Sequence, residues 1–333
     1  MNSNITQSDT RPILSVNGLS KRFPIKRGLF GGARKYLHAV DDVSFDLGRK
    51  ETLGIVGESG CGKSTTARMV VRLSRPTSGR IDFAGSDITN LSPSEMRPHR
   101  SDLQFVFQDP YSSLNQRMRA ADIVAEPIVN FTKLRGSDLR DRLAWLFDRV
   151  GLRQDMMHRF PHEFSGGQRQ RLGIARALAV NPSVIVADEP VSALDVSVQA
   201  QVINLMMDLQ EEFDLTYLFI AHDLAVVQHI SHRVAVMYLG KIVEIADRDS
   251  LFSDPQHPYT EALLDSVPIP DPDMRRESVA LSGEVPSPIN PPSGCRFHTR
   301  CPFAFDRCRH EIPVMRQVKP NHSVACHLRE PQS

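Results

Sequence analysis

The sequence has little of several things. A single tryptophan, five cysteines and a formal charge of +1, from 40 lysines and arginines against 39 aspartates and glutamates, are spread over 333 residues. Near-neutrality leaves no overall pull toward nucleic acid or anionic lipid, so a general polyanion-binding role loses support. No strongly apolar run approaches the roughly 18–20 residues that span a bilayer. The strongest, Val184–Ala187, follows Asn181 and Pro182 and stops at Asp188. Met1 to Thr10 is polar and lacks the basic-then-apolar order of a signal peptide. The expectation is a cytosolic protein whose membrane role, if it has one, goes through a partner. Hydrophobic residues at 41% exclude a disordered or fibrous chain, and the length suggests two domains or one large domain with an appendage. There is no internal repeat.

The cysteines are unevenly placed. Cys61 stands alone, whereas Cys295, Cys301, Cys308 and Cys326 crowd the end of the chain. Without an export signal, disulfides are disfavoured, and metal or cluster ligation competes with free thiols.

Strand-like patterning runs from Ile13 to about Phe45, broken by a basic, Gly-rich stretch, Lys26–Lys35, that reads as a surface loop. Glu51–Val56 is a short β-branched run entering a Gly-rich turn, and Lys63–Leu73 has helical character without Gly or Pro. This order opens a parallel α/β unit. Two more apolar strands follow: Val184–Ala187 ends in Asp188-Glu189, and Tyr217–Ala221 ends in His222. Open α/β sheets place their ligands at such strand ends. Ser94–Leu178, Arg-rich and helical in periodicity with Trp145 packed inside, reads as an inserted helical subdomain. After about Asp249 the composition turns to Pro, Asp and Ser, a linker or irregular extended segment, and the four cysteines come after it.

Gly57-Glu58-Ser59-Gly60-Cys61-Gly62-Lys63-Ser64, followed by Thr65, matches G-x-x-x-x-G-K-[ST] in full, between a strand and a helix. Its glycines let successive N–H groups face one centre, which suits a phosphate at a helix N-terminus. Lys63 would reach the β- and γ-phosphates and the Ser64 hydroxyl would ligate Mg²⁺. Asp188 would hold the metal's water shell, and Glu189 would polarise the attacking water. Cys61 sits at a variable loop position, where a small side chain tolerated by the turn is the preferred reading, although its thiol could make the activity sensitive to alkylation.

With these and further motifs the chain resembles the ATP-binding cassette family. Phe164-Ser165-Gly166-Gly167-Gln168 resembles the family signature with Phe for Leu, Gln108 the glutamine loop, Ser192–Asp195 the D-loop and His222 the switch histidine. The order over about 170 residues carries the resemblance. It implies a P-loop cassette with a RecA-like core, an antiparallel β subdomain, the inserted helical signature subdomain at about 94–178 within an ATP-binding domain at 11–250, and a Pro/Cys-rich extension at 251–333. It also implies that Ser165, Gly166, Gly167 and Gln168 close over ATP held by the P-loop of a second cassette, identical or paralogous. His222 would bond the γ-phosphate and Glu189; Gln108 would approach Mg²⁺ and water. Adenine would stack on an aromatic upstream of the P-loop, Phe23 or, as runner-up, Tyr36.

The extension narrows the resemblance. Leu281–Pro288, Pro291–Pro302 and, upstream, His257-Pro258-Tyr259-Thr260 resemble the C-terminal region of ATPases that drive peptide and nickel uptake. The implied role is the ATP-hydrolysing subunit of a di- or oligopeptide importer, peripheral on the cytoplasmic side of the bacterial inner membrane. Two permeases and, indirectly, a periplasmic binding protein would be its partners, with no nucleic acid. Tyr111, Met118 and Ala120–Val124 are candidate permease contacts. Nickel or glutathione import and a soluble, non-transport cassette are the alternatives. The cysteine spacing C-x5-C-x6-C-x17-C lacks paired C-x2-C knuckles, which disfavours zinc without removing it. Cys295, Cys301, Cys308 and Cys326 are candidate ligands of a 4Fe–4S cluster, with free or zinc-bound thiols as the alternative.

Overall fold

The computed structural model describes residues 11–25, 35–266 and 283–330. The basic loop expected at Lys26–Lys35 lies almost wholly outside them, as do the prolines between 267 and 282.

Two sheets organise the described residues. The smaller is antiparallel, in the order β2-β1-β4-β5, from β1 (Leu14–Pro24), β2 (Tyr36–Leu47), β4 (Ser78–Phe83) and β5 (Ser86–Asp87). The larger has the order β11-β12-β10-β9-β3-β8-β7-β6. Its parallel centre is β3 (Thr52–Val56), β6 (Leu103–Val106), β7 (Val184–Asp188), β8 (Thr216–Ile220) and β9 (Arg233–Tyr238). Antiparallel β10 (Lys241–Asp247), β12 (His322–Val324) and β11 (Arg316–Lys319) extend it on one side.

The central strands read as unbroken apolar runs because both faces are covered. Side chains alternate between two cores, as the two-residue period of a strand requires. Leu53 and Ile55, Val184 and Val186, Leu218 and Ile220, and Ala235 and Met237 pack toward the antiparallel sheet and α1 (Lys63–Val70). Ile185 and Ala187, Tyr217 and Phe219, and Val234 and Val236 pack into the second core. That core also takes apolar residues of α3 (Ala120–Phe131), α4 (Gly136–Arg149), α5 (Gly166–Leu178), α6 (Val196–Phe213) and α7 (Leu224–Ile230). A short α2 (Pro93–Met96), closed by a Ser92–Glu95 capping box, leads toward β6.

β6 falls inside the segment that patterning assigned to the helical insertion. Its four residues are too few to register against a helical period, and only long-range pairing with β7 makes them a strand. Beyond the short α2, the α-helices of that segment begin at Ala120. Trp145 is half-buried, not internal: its ring meets Phe213 edge-on at 5.5 Å, and the Arg142 guanidinium lies 4.2 Å from its centroid. Of the proposed partner contacts, Ala120, Ile123 and Val124 are core residues, whereas Tyr111 is exposed.

The chain beyond Asp249 is more than a linker. α8 (Arg248–Ser253) and α9 (Pro258–Asp265) follow β10, and α10 (Asp306–His310) precedes β11. β12 joins the main sheet through β10, and there a polar pair is buried completely: His322 Nε2 lies 2.6 Å from Glu244 Oε1. Burial pushes the Glu244 carboxyl up. His322, the nearby Thr260 hydroxyl and bonds from the N–H groups of Gln256 and His257 outweigh it and hold the group below the usual carboxylate range. His257 caps α9 by accepting the Tyr259 N–H at Nδ1, 3.0 Å away, so this nitrogen is unprotonated.

Burial lowers the His257 pKa to about 4, against a partial rise from Glu244. The unfolded histidine takes its proton near 6.5, so between these values the unfolded chain binds more protons. Stability present above about pH 6.5 is therefore lost as pH falls toward 4, by about 3 kcal/mol from this residue. Thermal melts should show that slope, and His257→Asn, which keeps a capping acceptor, should flatten it. An unchanged slope in the variant contradicts the assignment.

Candidate functional site

The site forms at the carboxyl ends of β3, β6, β7 and β8, neighbours in the sheet. β3 runs into Gly57–Ser64, and α1 begins at Lys63. Gly57 and Gly62 have φ of 152° and 110°. A Cβ at Gly57 would stand 2.1 Å from the Met237 carbonyl oxygen, and one at Gly62 would stand 2.2 Å from that of Ala39. Only glycine tolerates this backbone and this proximity. Buried Lys63 folds back on its own loop, its Nζ donating to the Gly57 and Glu58 carbonyls at 2.7 and 3.1 Å. Ser59 and Gly60 are exposed at the tip.

Cys61 is buried, with Sγ 4.0 Å from Lys63 Nζ. Burial raises its pKa despite the lysine. A covered thiol kept protonated fits the preferred reading of a small side chain tolerated by the turn.

Asp188, at the end of β7, is buried with neither carboxylate oxygen hydrogen-bonded in the protein. Burial raises its pKa, and nearby Ser64 and Arg68 lower it, the Arg68 Nε being 3.9 Å from Oδ2. An unpartnered buried carboxylate beside a hydroxyl on α1 is an oxygen donor set that suits Mg²⁺. The next residue, Glu189, has φ of 46°, a left-handed backbone uncommon for a non-glycine. Its N–H is held by the Ile220 carbonyl of β8 at 3.0 Å. Gln108 Nε2, following β6, donates to Glu189 Oε2 at 2.9 Å, and His222 Nδ1, following β8, lies 3.3 Å from the same oxygen. Two residues distant in sequence thus converge on one oxygen of the Glu189 carboxylate.

Ser165, Gly166, Gly167 and Gln168 lie elsewhere. Ser165 caps α5 in a reciprocal pair with Gln168: the Ser165 N–H donates to Gln168 Oε1 at 3.0 Å, and the Gln168 N–H to Ser165 Oγ at 3.3 Å. Ser165 and Gly166 are exposed, beside Leu194 at the start of α6. No hydrogen bond among the described residues joins this cap to the chain's own P-loop. Phe23 and Tyr36 are both exposed at the same end of the β1–β2 hairpin, where Phe23 pairs with Leu37 and Pro24 with Tyr36.

Motif reading missed two residues that reach the P-loop from the C-terminal part of the chain. The Glu58 N–H donates to the Tyr259 hydroxyl at 2.9 Å, and Arg300 donates both terminal nitrogens to the Glu58 carboxylate at 2.7 and 3.0 Å. Both had a signal, Tyr259 in His-Pro-Tyr-Thr and Arg300 in the Pro291–Pro302 stretch of the same resemblance, but neither signal pointed to the P-loop. Around Arg300 the four thiols are neighbours. Burial pushes Cys295 up to about 11, a backbone N–H bond from Phe297 opposes it, and Cys326, Cys308 and Cys301 add to the rise. Among the described residues no three His, Cys, Asp or Glu side chains are placed to hold a single metal ion.

Comparison with known proteins agrees with this geometry. Residues 40–192 match the family described as ABC transporter, and residues 243–308 match the oligopeptide/dipeptide transporter, C-terminal region. A probable peptide ABC transporter ATP-binding protein of Sinorhizobium fredii is 56% identical over 319 residues, 96% of this chain and 90% of its own length. The oligopeptide transport ATP-binding protein AppF of Bacillus subtilis is 54% identical over 327 residues, 97% and 99% of the two chains. Among solved structures, the dimeric post-hydrolysis state of the ATP-binding cassette MJ0796, bound to ADP and phosphate, aligns with a TM-score of 0.64 at 28% identity, over 71% of this chain and 98% of that one.

Proposed function

The chain belongs to the ATP-binding proteins of ABC transporters, and from that premise we propose that it is the ATP-hydrolysing subunit of an importer for di- or oligopeptides. The observation that carries the hydrolytic part is the convergence of Gln108 and His222 on Glu189, one residue beyond the unpartnered carboxylate of Asp188 and beside the P-loop. The peptide part is supported by the C-terminal match and by the relatives' names. No reported relative's name points to nickel or glutathione.

In this reading Lys63 exchanges the Gly57 and Glu58 carbonyls for the β- and γ-phosphates, while P-loop N–H groups and the start of α1 receive the remaining phosphate oxygens. Ser64 and Asp188 would hold Mg²⁺, with Gln108 approaching it from the end of β6. The ion supplies charge neutralisation on the phosphates when bound. Glu189 orients the attacking water and takes its proton. His222 and Gln108 fix that carboxylate, and His222 bonds the γ-phosphate. Phe23, with Tyr36 as its neighbour, stacks on adenine.

Ser165, Gly166, Gly167 and Gln168 present an exposed helix start that meets the γ-phosphate of a nucleotide on a second cassette, identical or paralogous. The dimeric solved structure of a related cassette supports a second cassette as partner. Among the described residues no helix is long and apolar enough to cross a membrane. On the strength of the peptide-transporter relatives we place the subunit peripherally, on the cytoplasmic side of the inner membrane, docked on two permeases that a periplasmic binding protein supplies.

In vesicles holding this subunit, its companion cassette and both permeases, Glu189→Gln should keep MgATP binding and lose at least about 100-fold in hydrolysis, together with peptide uptake. Wild-type turnover in that variant, or uptake of peptide by permeases lacking this subunit, would overturn the reading.

The cysteines take a second assignment. The four thiols are buried or half-buried, and each raises the pKa of Cys295 or is itself raised by burial. We propose Cys295, Cys301, Cys308 and Cys326 as ligands of a 4Fe–4S cluster with a structural role. Anaerobically purified protein should contain about four iron and four acid-labile sulfide per chain. A colourless, iron-free preparation sinks the assignment.

A further inference from the structure

Glu58 puts a negative charge on the loop that must receive a polyphosphate. The structure answers it with one cation. Arg300 donates through both terminal nitrogens to the two carboxylate oxygens, and its own side chain is 5% exposed. This bidentate fork is the strong, geometry-specific form of a charged hydrogen bond. The rest of Glu58 is also committed: its N–H goes to Tyr259, and its carbonyl accepts from Lys63 and from the Cys61 N–H at 3.3 Å.

Arg300 is itself held. Its guanidinium lies 5.8 Å from the Tyr238 ring centroid, and its N–H bonds the Phe297 carbonyl at 2.9 Å. Phe297 packs on Tyr238 and Tyr259, with ring centroids 5.3 and 5.4 Å apart. The Cys295 N–H donates to the Cys308 carbonyl at 2.9 Å, and Arg296 bonds Asp41 and the Leu239 carbonyl. A shift of the cysteine-bearing loop therefore moves the guanidinium that neutralises the P-loop.

We propose that Arg300 is a positioning residue for nucleotide binding: it cancels the Glu58 charge next to the phosphates and fixes the loop, so that the loop of residues 295–301 is coupled to ATP affinity. This rests on the reading of Gly57–Ser64 as the nucleotide site. Coupling is reciprocal, so bound nucleotide also steadies that loop.

MgATP binding to the full-length protein tests it. Wild type should bind, and Lys63→Ala should not; failure here overturns the nucleotide reading itself. Arg300→Met should raise Kd about tenfold, and Arg300→Lys should fall between, because one ammonium cannot make both bonds. At saturating MgATP kcat should stay within about twofold. Adding Glu58→Gln to Arg300→Met should restore Kd to within about threefold of wild type, which a purely architectural role of Arg300 would not allow. ATP should slow amide exchange in residues 295–301 of wild type and not of Arg300→Met. An unchanged Kd in Arg300→Met, or a double variant no better than the single one, overturns the proposal. If Arg300→Met does not fold by circular dichroism, Arg300→Lys with and without Glu58→Gln carries the same comparison.

Discussion

Every functional contact in this chain depends on a loop that other backbone segments leave no room to change. Between Val56 and Lys63 the chain turns through left-handed glycines pressed against the Met237 and Ala39 carbonyls. The Gly240 N–H holds the Cys61 carbonyl at 2.8 Å, and the Asp41 N–H holds the Gly240 carbonyl at the same distance. The antiparallel sheet, through β2, and the β9–β10 turn thus clamp the loop from one side. Tyr259 and Arg300 hold it from the C-terminal side. In the proposed reading, the clamped backbone fixes where the Lys63 side chain starts, so that its ammonium, now bonded to the Gly57 and Glu58 carbonyls, would meet the phosphates.

The same constraint explains the sheet. A loop held this closely needs β3 immovable, and β3 lies between β8 and β9 with both faces covered. Alternate burial into two cores makes each central strand unable to slip by one residue without exchanging its neighbours. Because β8, β7 and β6 follow in order, their carboxyl ends bring His222, Glu189 and Gln108 to one oxygen. The left-handed Glu189 backbone turns the carboxylate out of the line of β7 while Asp188 stays buried. One strand end thereby provides two acids in different surroundings, as separate metal-binding and water-orienting roles require.

Much of this was legible in the sequence, for a physical reason. The P-loop, Asp188-Glu189 and His222 belong to strand-end motifs whose chemistry depends on neighbouring residues, and their apolar runs mark buried parallel strands. The four residues of β6 were read as helical, since nothing local distinguishes them until they pair with β7. Trp145 was read as internal, but its ring is shared between Phe213 and two arginines at the surface. The C-terminal prolines suggested a loose segment, while β12, the His322–Glu244 pair and the Arg300–Glu58 fork tie it to the cassette across 78 and 242 residues. Contacts of that range leave no periodic trace, and the stretch that holds Arg300 resembles the family extension without showing which residue its side chain meets.

The account stands on the claim that the phosphate loop works because no side chain fits where Gly57 approaches Met237. Equilibrium MgATP binding to Gly57→Ala, in protein shown to be folded by circular dichroism, tests it most directly. A methyl group 2.1 Å from a backbone carbonyl oxygen must displace the loop, so affinity should fall by about 100-fold or more. Binding within about twofold of wild type would contradict the claim.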